Sequence, residues 1–289
     1  MNENTKPKTP RVRKPEWLKV KLGEGLTFTD TKVTIEGHGL NTICSSGRCP
    51  NLGECWSAGT ATFMIGGAYC TRACRFCNTL SSKTPPALDP DEPRRVAESI
   101  RQMALRHAVI TSVDRDDLPD YGAEHWAATI AAIQQATPEV TIEVLIPDFN
   151  GNLELVDKII ELRPRVISHN LETVRRLTPS VRHVATYDTS LSVLKHIARS
   201  GVRTKTGIML GLGETEEEVI ELMQDIHRAG VSVLTIGQYL QPTRKHLSVV
   251  EYVHPRQFAY LGEIGRKIGL AHVESGPLVR SSYHAERHK

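Results

Sequence analysis

The sequence predicts an incomplete α/β barrel, and a doubly wound open sheet is the alternative. From residue 61 onward, short apolar runs alternate with helix-length amphipathic stretches, an order typical of a parallel sheet. Six or seven such units fit into roughly 215 residues, whereas a complete eight-unit barrel takes about 250. We therefore expect a partial (β/α)6-type TIM-like barrel, its top covered by amino-terminal and carboxyl-terminal extensions. In either fold, the chemistry belongs at the carboxyl ends of the strands.

The predicted strands are seven apolar runs, of which the last is the weakest: "ATFMIGG", "HAVITSV", "VTIEVLI", "RVISHN", "RTKTGIML", "VSVLTIG" and "LAHVES". Helices are predicted between them. In "DEPRRVAESIRQMALRHA", for example, Val96, Ile100 and Met103 share one face. Val219, Met223 and Ile226 do the same in "ETEEEVIELMQDIHRAG".

Three regions are predicted along the chain. Residues 1–60 form a basic tail and a loop-rich extension, 61–276 form the barrel, and 277–289 form a carboxyl-terminal segment. The first 20 residues hold six Lys or Arg against two Glu. Such a tail is typical of a solvated arm, although nucleic acid, an acidic protein or an organelle import receptor are alternative partners.

The remaining bulk properties predict a cytoplasmic protein with no membrane partner. No apolar run of about 18 residues is present, and the amino terminus lacks the apolar core of a secretory signal. A reducing compartment makes clustered cysteines more typical of metal ligands or catalysts than of disulfides. The six cysteines are therefore interpreted as two groups of three, which are Cys44, Cys49 and Cys55, then Cys70, Cys74 and Cys77.

The second group follows the first predicted barrel strand with the spacing C-x3-C-x2-C. Three thiolates leave one iron of a four-iron cluster without a protein ligand, which indicates chemistry rather than a structural role. Structural zinc prefers four protein ligands, so a zinc knuckle completed by a distant histidine is the alternative.

This pattern, C-x3-C-x-aromatic-C in "AYCTRACRFCNT", resembles the radical S-adenosylmethionine enzymes. The resemblance implies that the vacant iron binds S-adenosylmethionine, and that an electron from the cluster cleaves it to a 5′-deoxyadenosyl radical. It places Phe76 near the adenine. Less specific similarities to motifs of the same enzymes imply further contacts with S-adenosylmethionine. These are at Thr111, Ser112, Asn170, Glu172 and, in "GIMLGLGE", Gly211.

The first group has the spacing C-x4-C-x5-C in "CSSGRCPNLGEC", and a second cluster there would also be one ligand short. Together with "GPLVRSSYHA" near the end, it resembles the lipoyl synthase family, and the resemblance extends from residue 35 to 285. In that family a serine of the R-S-S-Y motif completes an auxiliary 4Fe-4S cluster. The correspondence gives Ser282, whereas spacing alone leaves Ser281 open. An alkoxide is a harder ligand than a thiolate, as suits a cluster that is consumed.

The resemblance implies a sulfurtransferase that inserts two sulfur atoms at carbons 6 and 8 of an octanoyl chain attached to a lysine of a lipoyl carrier domain. The auxiliary cluster supplies the sulfur, and Cys70, Cys74, Cys77 and Ser282 are the catalytic residues. The implied carriers are 2-oxoacid dehydrogenase acyltransferase subunits and the glycine cleavage H protein. An electron donor such as flavodoxin or ferredoxin and an iron-sulfur cluster carrier are the other implied partners.

Two alternative functions are carried forward. A radical tRNA methylthiotransferase also pairs two clusters, but it would need a longer amino-terminal domain and an RNA-binding module, and no nucleic-acid partner is predicted. A non-enzymatic iron-sulfur electron-transfer protein would need no α/β barrel around an open cluster.

Overall fold

A computed structural model describes residues 13–20, 25–58, 60–283 and 285 of the chain. Its strands are β1 (Asn41–Thr42), β2 (Thr62–Ile65), β3 (Tyr69–Cys70), β4 (Leu80–Ser81), β5 (His107–Ser112), β6 (Thr141–Leu145), β7 (Val166–Ser168), β8 (Arg203–Leu210), β9 (Val233–Gln238) and β10 (His272–Ser275). Its α-helices are α1 (Leu26–Gly37), α2 (Ile43–Ser46), α3 (Leu52–Ser57), α4 (Glu92–Gln102), α5 (Ala123–Ala136), α6 (Leu153–Glu161), α7 (Thr178–Val181), α8 (Tyr187–Arg199), α9 (Glu216–Arg228) and α10 (Pro255–Ile268). Two 3-10 helices span Glu16–Leu18 and Phe149–Gly151.

The main sheet has eight strands in the order β1-β2-β5-β6-β7-β8-β9-β10. All neighbours from β2 to β10 are parallel, and only β1 pairs antiparallel, against β2. A doubly wound sheet reverses its strand order at a switch point, whereas these strands follow the order of the chain. The sheet is therefore a partial barrel, open between its edge strands β10 and β1 within the described residues, and all seven predicted runs form its parallel strands.

The helices pack on the outside of this sheet through the faces that the sequence predicts. Val96 and Ile100 of α4 are buried, and Met103, at the end of that helix, packs against the same core. In α9, Val219, Met223 and Ile226 are buried. Among the described residues, none of the helices combines the length and the apolar composition that a membrane span requires.

The segment before β2 differs from the loop-rich region that the sequence predicts, because it contains α1, α2 and α3. Helix α1 has little amphipathic character, and only Thr31 and Ile35 of its residues are buried. Its position depends on distant contacts: Phe28 packs on Trp56 with ring centroids 5.7 Å apart, and the Thr31 hydroxyl donates to the Trp56 carbonyl at 3.1 Å. Tertiary packing thus forms a helix that local periodicity does not reveal.

The carboxyl-terminal segment, residues 277–283, lies across the top of the sheet. The Gln238 amide at the end of β9 donates to the Pro277 carbonyl at 3.4 Å. At Gly237 the backbone of Val279 comes so close that a Cβ would lie 2.1 Å from its carbonyl oxygen, so only glycine fits there. The Asn51 side chain, just before α3, donates to the Leu278 carbonyl at 2.7 Å.

A buried ion pair lies in the same sheet. Lys205 of β8 donates to Glu143 of β6 at 2.6 Å, and both side chains are about 1% exposed. The hydroxyl of Ser168, on the intervening strand β7, also donates to Glu143 at 3.3 Å. Two charges removed from water in this way depend on each other, because either one alone would be uncompensated.

We expect Lys205→Met to lower the free energy of unfolding by about 3 to 5 kcal/mol, since it leaves the Glu143 carboxylate buried without its cation. The double substitution Glu143→Leu/Lys205→Met removes both charges and should recover most of that loss. Urea unfolding of the three proteins measures this. Equal losses in the single and double variants would contradict the assignment of the loss to the unpaired carboxylate.

Candidate functional site

One cavity of about 350 Å³ lies at the carboxyl ends of the parallel strands. It brings together most of the residues that the sequence singles out: Cys44, Cys49, Cys70, Cys74, Phe76, Cys77, Thr111, Ser112, Asn170, Glu172 and Ser282 all line it. Cys55 and Gly211 are the predicted site residues outside this lining. Cysteines of both trios therefore line the cavity, and the carboxyl-terminal segment contributes to its wall.

The loop that carries Cys70, Cys74 and Cys77 is closed by the pairing of β3 with β4. The Cys70 sulfur accepts the backbone amides of Arg72, at 3.4 Å, and of Asp114, at 3.3 Å. The Cys77 amide donates to the Cys74 carbonyl at 3.0 Å. The main chain thus fixes the loop, and the Cys77 sulfur makes one further contact within it, a hydrogen bond to the Thr79 hydroxyl at 3.3 Å.

Arg72, between the first two cysteines of this loop, forms ion pairs with three aspartates. Its guanidinium lies 2.8 Å from Asp116, 2.7 Å from Asp148 and 3.3 Å from Asp114. Asp114 and Asp116 follow β5, and Asp148 follows β6. Burial alone would lower the pKa of Arg72, but the three carboxylates raise it well above its ordinary value. Arg72 therefore joins the cysteine loop to the ends of two neighbouring strands.

The start of the same loop is fixed by a second buried pair. The Gly66 amide donates to the Glu92 carboxylate at 2.8 Å, and His125 contacts the same carboxylate oxygen at 2.6 Å. Arg115 donates to the Gly66 carbonyl at 3.2 Å. The ends of α4 and α5 thus hold the backbone just before the cysteines.

Cys44, Cys49 and Cys55 come from α2, the following loop and α3. Thr42 caps α2 by accepting the Ser45 amide, and the Cys49 amide donates to the Cys44 carbonyl at 3.0 Å. Burial raises the pKa of Cys55 to about 12, and the negative charges of Cys44 and Cys49 add to that rise. The three thiols therefore lie close together, although Cys55 does not line the cavity.

The two serines of the "RSSY" motif face different sides of the cavity. The Thr62 hydroxyl donates to the Ser282 hydroxyl at 2.8 Å, and Thr62 also hydrogen-bonds Cys44. Ser281 instead accepts a hydrogen bond from the Asn170 side chain at 2.8 Å. Ser282 thus lies beside the first trio and Ser281 faces the end of β7, a distinction that spacing along the sequence leaves open.

The rest of the motif fixes this arrangement. The Tyr283 hydroxyl donates to the Glu54 carboxylate at 3.1 Å, which ties the motif to α3. Burial raises the pKa of Cys49, and the charge of Arg280, which lines the cavity, opposes that rise. The residues on both sides of the two serines thus act on the first trio and its helix, Tyr283 through Glu54 and Arg280 through its charge.

The donor set fits two iron-sulfur clusters. All six cysteines are free, and burial raises the pKa of Cys55, Cys70 and Cys74 to about 12. Such thiols ionise when a positive metal centre supplies the compensating charge. Within the described residues, no three His, Cys, Asp or Glu side chains converge on a single metal ion.

The predicted S-adenosylmethionine contacts fall into two groups. Asn170 and Glu172 lie over the cavity, where the Asn170 amide donates to Glu172 at 3.0 Å and the Asn170 carbonyl oxygen is buried without a described donor. That oxygen is available to a ligand. Thr111 and Ser112 are partly engaged by the protein, since Thr111 donates to the Leu145 carbonyl and Ser112 accepts from Trp126.

The backbone conformation and the close packing at Gly211 explain why a glycine lies there. Its φ is 96°, its amide donates to the Glu214 carboxylate, and a Cβ there would lie 2.2 Å from the Gln238 side chain. Glycine is therefore required by the turn after β8, whatever else this position does.

Sequence reasoning missed several buried polar side chains that line the cavity, and three of them are arginine or histidine. Besides Arg72, these are Arg182, which donates to the carbonyls of Asn170 and Leu171, and His169. Burial lowers the pKa of His169 to about 4, so the ring is neutral between the Ile146 carbonyl and Ser190. The acidic "DRDD" after the second predicted strand was the available signal for Arg72, because buried carboxylates need a cation.

We expect Arg72→Gln to loosen the cysteine loop, because Asp114 and Asp148 would be left near each other without a cation. Anaerobically reconstituted protein should then hold about four fewer irons per chain, the content of one four-iron cluster. Iron and sulfide analysis measures this. Arg95→Gln is the matched control, since Arg95 pairs with Asp89 at the surface of α4. Full iron content in Arg72→Gln would exclude this role.

Known proteins resemble the chain in sequence and in fold. The family model for the Radical SAM superfamily matches residues 64–226. A lipoyl synthase from Porphyromonas gingivalis is 67% identical over 278 residues, which is 96% of this chain and 98% of that protein. A lipoyl synthase from Parabacteroides distasonis is 64% identical over 277 residues, again 96% of this chain and 98% of the relative.

Among solved structures, methylornithine synthase (PylB) matches with a TM-score of 0.52 at 12% identity, covering 87% of this chain and 83% of that chain. Streptococcus suis SuiB bound to S-adenosylmethionine matches with a TM-score of 0.53 at 13% identity, covering 69% of this chain and 45% of that one. At these identities the structural matches establish the fold alone.

Proposed function

The chain belongs to the lipoyl synthase family of the Radical SAM superfamily, and from this premise we propose how its residues insert sulfur into a carrier-bound acyl chain. It is an enzyme whose family cofactors are 4Fe-4S clusters and S-adenosylmethionine. Its substrate is an octanoyl chain on a lysine of a lipoyl carrier domain, and sulfur is inserted at carbons 6 and 8.

We assign Cys70, Cys74 and Cys77 to one cluster, and Cys44, Cys49, Cys55 and Ser282 to the other. When bound, the clusters and S-adenosylmethionine supply the one-electron chemistry that breaks unactivated C–H bonds, and the sulfur that replaces the hydrogen. No acid, base or nucleophilic side chain of the cavity can attack such carbons at neutral pH. The protein therefore contributes binding, orientation and exclusion of water.

Asn170 and Glu172 are proposed to orient S-adenosylmethionine. The free carbonyl oxygen of Asn170 can accept a ligand N–H or O–H. Burial raises the pKa of Glu172, and the charge of Arg182 opposes that rise. Phe76, which lines the cavity, is the proposed contact for the adenine. The roles of Thr111, Ser112 and Gly211 in binding remain part of the same proposal.

The acyl chain is proposed to lie between the two trios. Apolar side chains line that space, among them Ile43, Val113, Leu145, Ile208 and Met209. An aliphatic chain binds such a surface without specific hydrogen bonds. The carboxyl-terminal segment covers the cavity and connects its two sides, because Ser281 contacts Asn170 while Ser282 contacts Thr62.

The observation that carries the proposal is the position of Ser282. The second trio and two cysteines of the first trio line one cavity, and the hydroxyl beside the incomplete first trio comes from a segment more than two hundred residues away. An electron carrier or a metal-stabilised binding module needs neither this convergence nor a cavity between the trios. High identity to lipoyl synthases over nearly the whole chain also favours this function over a tRNA methylthiotransferase.

The specific partners are part of the proposal. Acyltransferase subunits of 2-oxoacid dehydrogenases and the glycine cleavage H protein are the proposed carriers. Flavodoxin or ferredoxin is the proposed electron donor, and an iron-sulfur cluster carrier is proposed to rebuild the cluster that is consumed.

The proposal is tested by reconstituting the protein anaerobically and mixing it with S-adenosylmethionine, dithionite and an octanoyl-lysyl peptide. We expect about eight irons per chain, the content of two four-iron clusters, and a peptide that gains two sulfur atoms by mass. Cleavage of S-adenosylmethionine without any change in the peptide would retain the radical chemistry and reject the substrate.

We expect Ser282→Ala to abolish sulfur insertion while cleavage of S-adenosylmethionine continues, because the first trio loses its fourth ligand. Ser282→Cys should retain the iron of that site but slow turnover, since a thiolate binds iron more firmly than an alkoxide. Ser281→Ala is the matched control and should keep both clusters. Iron analysis and peptide mass measure these outcomes, and a reversed pattern would make Ser281 the ligand.

A further inference from the structure

Four basic side chains surround one side of the cavity opening: Arg48, Arg75, Arg244 and Lys245. All four are exposed, and Arg48 also lines the cavity. In the part of the chain that the structure describes, none of them forms an ion pair. We call this group the basic rim.

The basic rim is continuous in space. Arg48 donates to the Pro242 carbonyl at 3.3 Å, two residues before Arg244. On the other side of the pair Arg244 and Lys245, the Leu247 amide donates to the Arg75 carbonyl at 3.1 Å. The four residues therefore lie along one edge, where the loop between β9 and α10 meets the cysteine loops, and the Arg75 side chain donates there to the Ser180 carbonyl at 3.1 Å.

The loop that carries Arg244 and Lys245 is held in place by its own contacts. His246 donates to the Cys77 carbonyl at 2.9 Å, and the Thr243 hydroxyl donates to the other ring nitrogen at 2.8 Å. The Tyr239 hydroxyl donates to the Leu247 carbonyl at 2.8 Å. Since neighbouring contacts fix the backbone, the two exposed charges occupy a defined position at the opening.

Among the residues that the structure describes, no carboxylate forms an ion pair with the basic rim. Asp114 and Glu172 lie inside the cavity, and Glu251, further along the same loop, lies beside Glu214 rather than beside the rim. Basic side chains without acidic partners at the edge of a site attract an anionic partner and accelerate its association.

We propose that the basic rim docks the acidic face of the folded carrier domain whose acylated lysine enters the cavity. This proposal rests on the proposed function, which requires a lysine side chain to pass the opening. A docked carrier must then cover the residues around that opening, and carboxylates are the groups that the rim would bind. The rim thus acts on the protein part of the substrate, while the cavity binds the acyl chain.

The test uses the reconstituted holoenzyme with dithionite, so that no protein reductant is present. The variant is Arg244→Gln/Lys245→Gln, which leaves the backbone contacts of the loop intact. For an octanoylated carrier domain with an acidic surface, we expect KM to rise about 5- to 10-fold at ~50 mM salt and the difference to shrink at high salt. We expect kcat to stay the same, and Arg244→Glu/Lys245→Glu to raise KM further.

Two controls separate docking from other effects. Lys195→Gln/Arg199→Gln removes two exposed charges from α8, which ends at the opposite end of the sheet, and should leave KM unchanged. An octanoyl-lysyl peptide without charged residues should be converted equally by all variants. Sulfur insertion into that peptide by the wild-type enzyme tests the proposed function separately.

An unchanged KM for the carrier in Arg244→Gln/Lys245→Gln would overturn the proposal. So would an equal loss with the uncharged peptide, because that would place the effect in the cavity. Direct titration of carrier into holoenzyme without S-adenosylmethionine should show the same weakening of Kd. Competition of a short RNA with the carrier for wild-type enzyme, together with an unchanged carrier Kd in the variant, would assign the rim to nucleic acid instead.

Discussion

The interaction on which the site depends most is the contact of one guanidinium with three carboxylates. Arg72 lies inside the cysteine loop, and its aspartate partners follow two successive strands of the sheet. A loop with two short strands of its own has little intrinsic stability. The ion pairs join that loop to the sheet, and the pair with Asp148 is screened least by water because both of its side chains are buried.

Other loops at the opening are connected by hydrogen bonds, either to this cysteine loop or to one another. The segment after β9 bonds to its backbone through His246, and the first trio is linked to the carboxyl-terminal segment through Asn51 and Thr62. A parallel sheet with its strands in chain order brings all these loops to one edge. The chemistry of each trio is local, but the distance between the trios is set by the whole sheet.

Much of this could be predicted from the sequence, because the informative patterns are local. Buried parallel strands read as short apolar runs, and cluster ligands recur at short spacings, so the strands and the six cysteines were evident. Helix α1 was not evident from the sequence, because Phe28 and Thr31 are held by Trp56 and not by residues near them in the chain. The partners of Arg72 and the difference between Ser281 and Ser282 were also hidden, because both are contacts between residues far apart in the chain.

The position of the "RSSY" motif has a consequence for synthesis of the protein. Residues that build the sheet and both cysteine trios leave the ribosome first, and domains fold in that order. Ser282, and Leu278 and Tyr283 that dock beside it, follow every strand and every cysteine along the chain. The site of the first trio is therefore completed only after the sheet has been synthesised, and until then the nascent chain holds that trio without its serine.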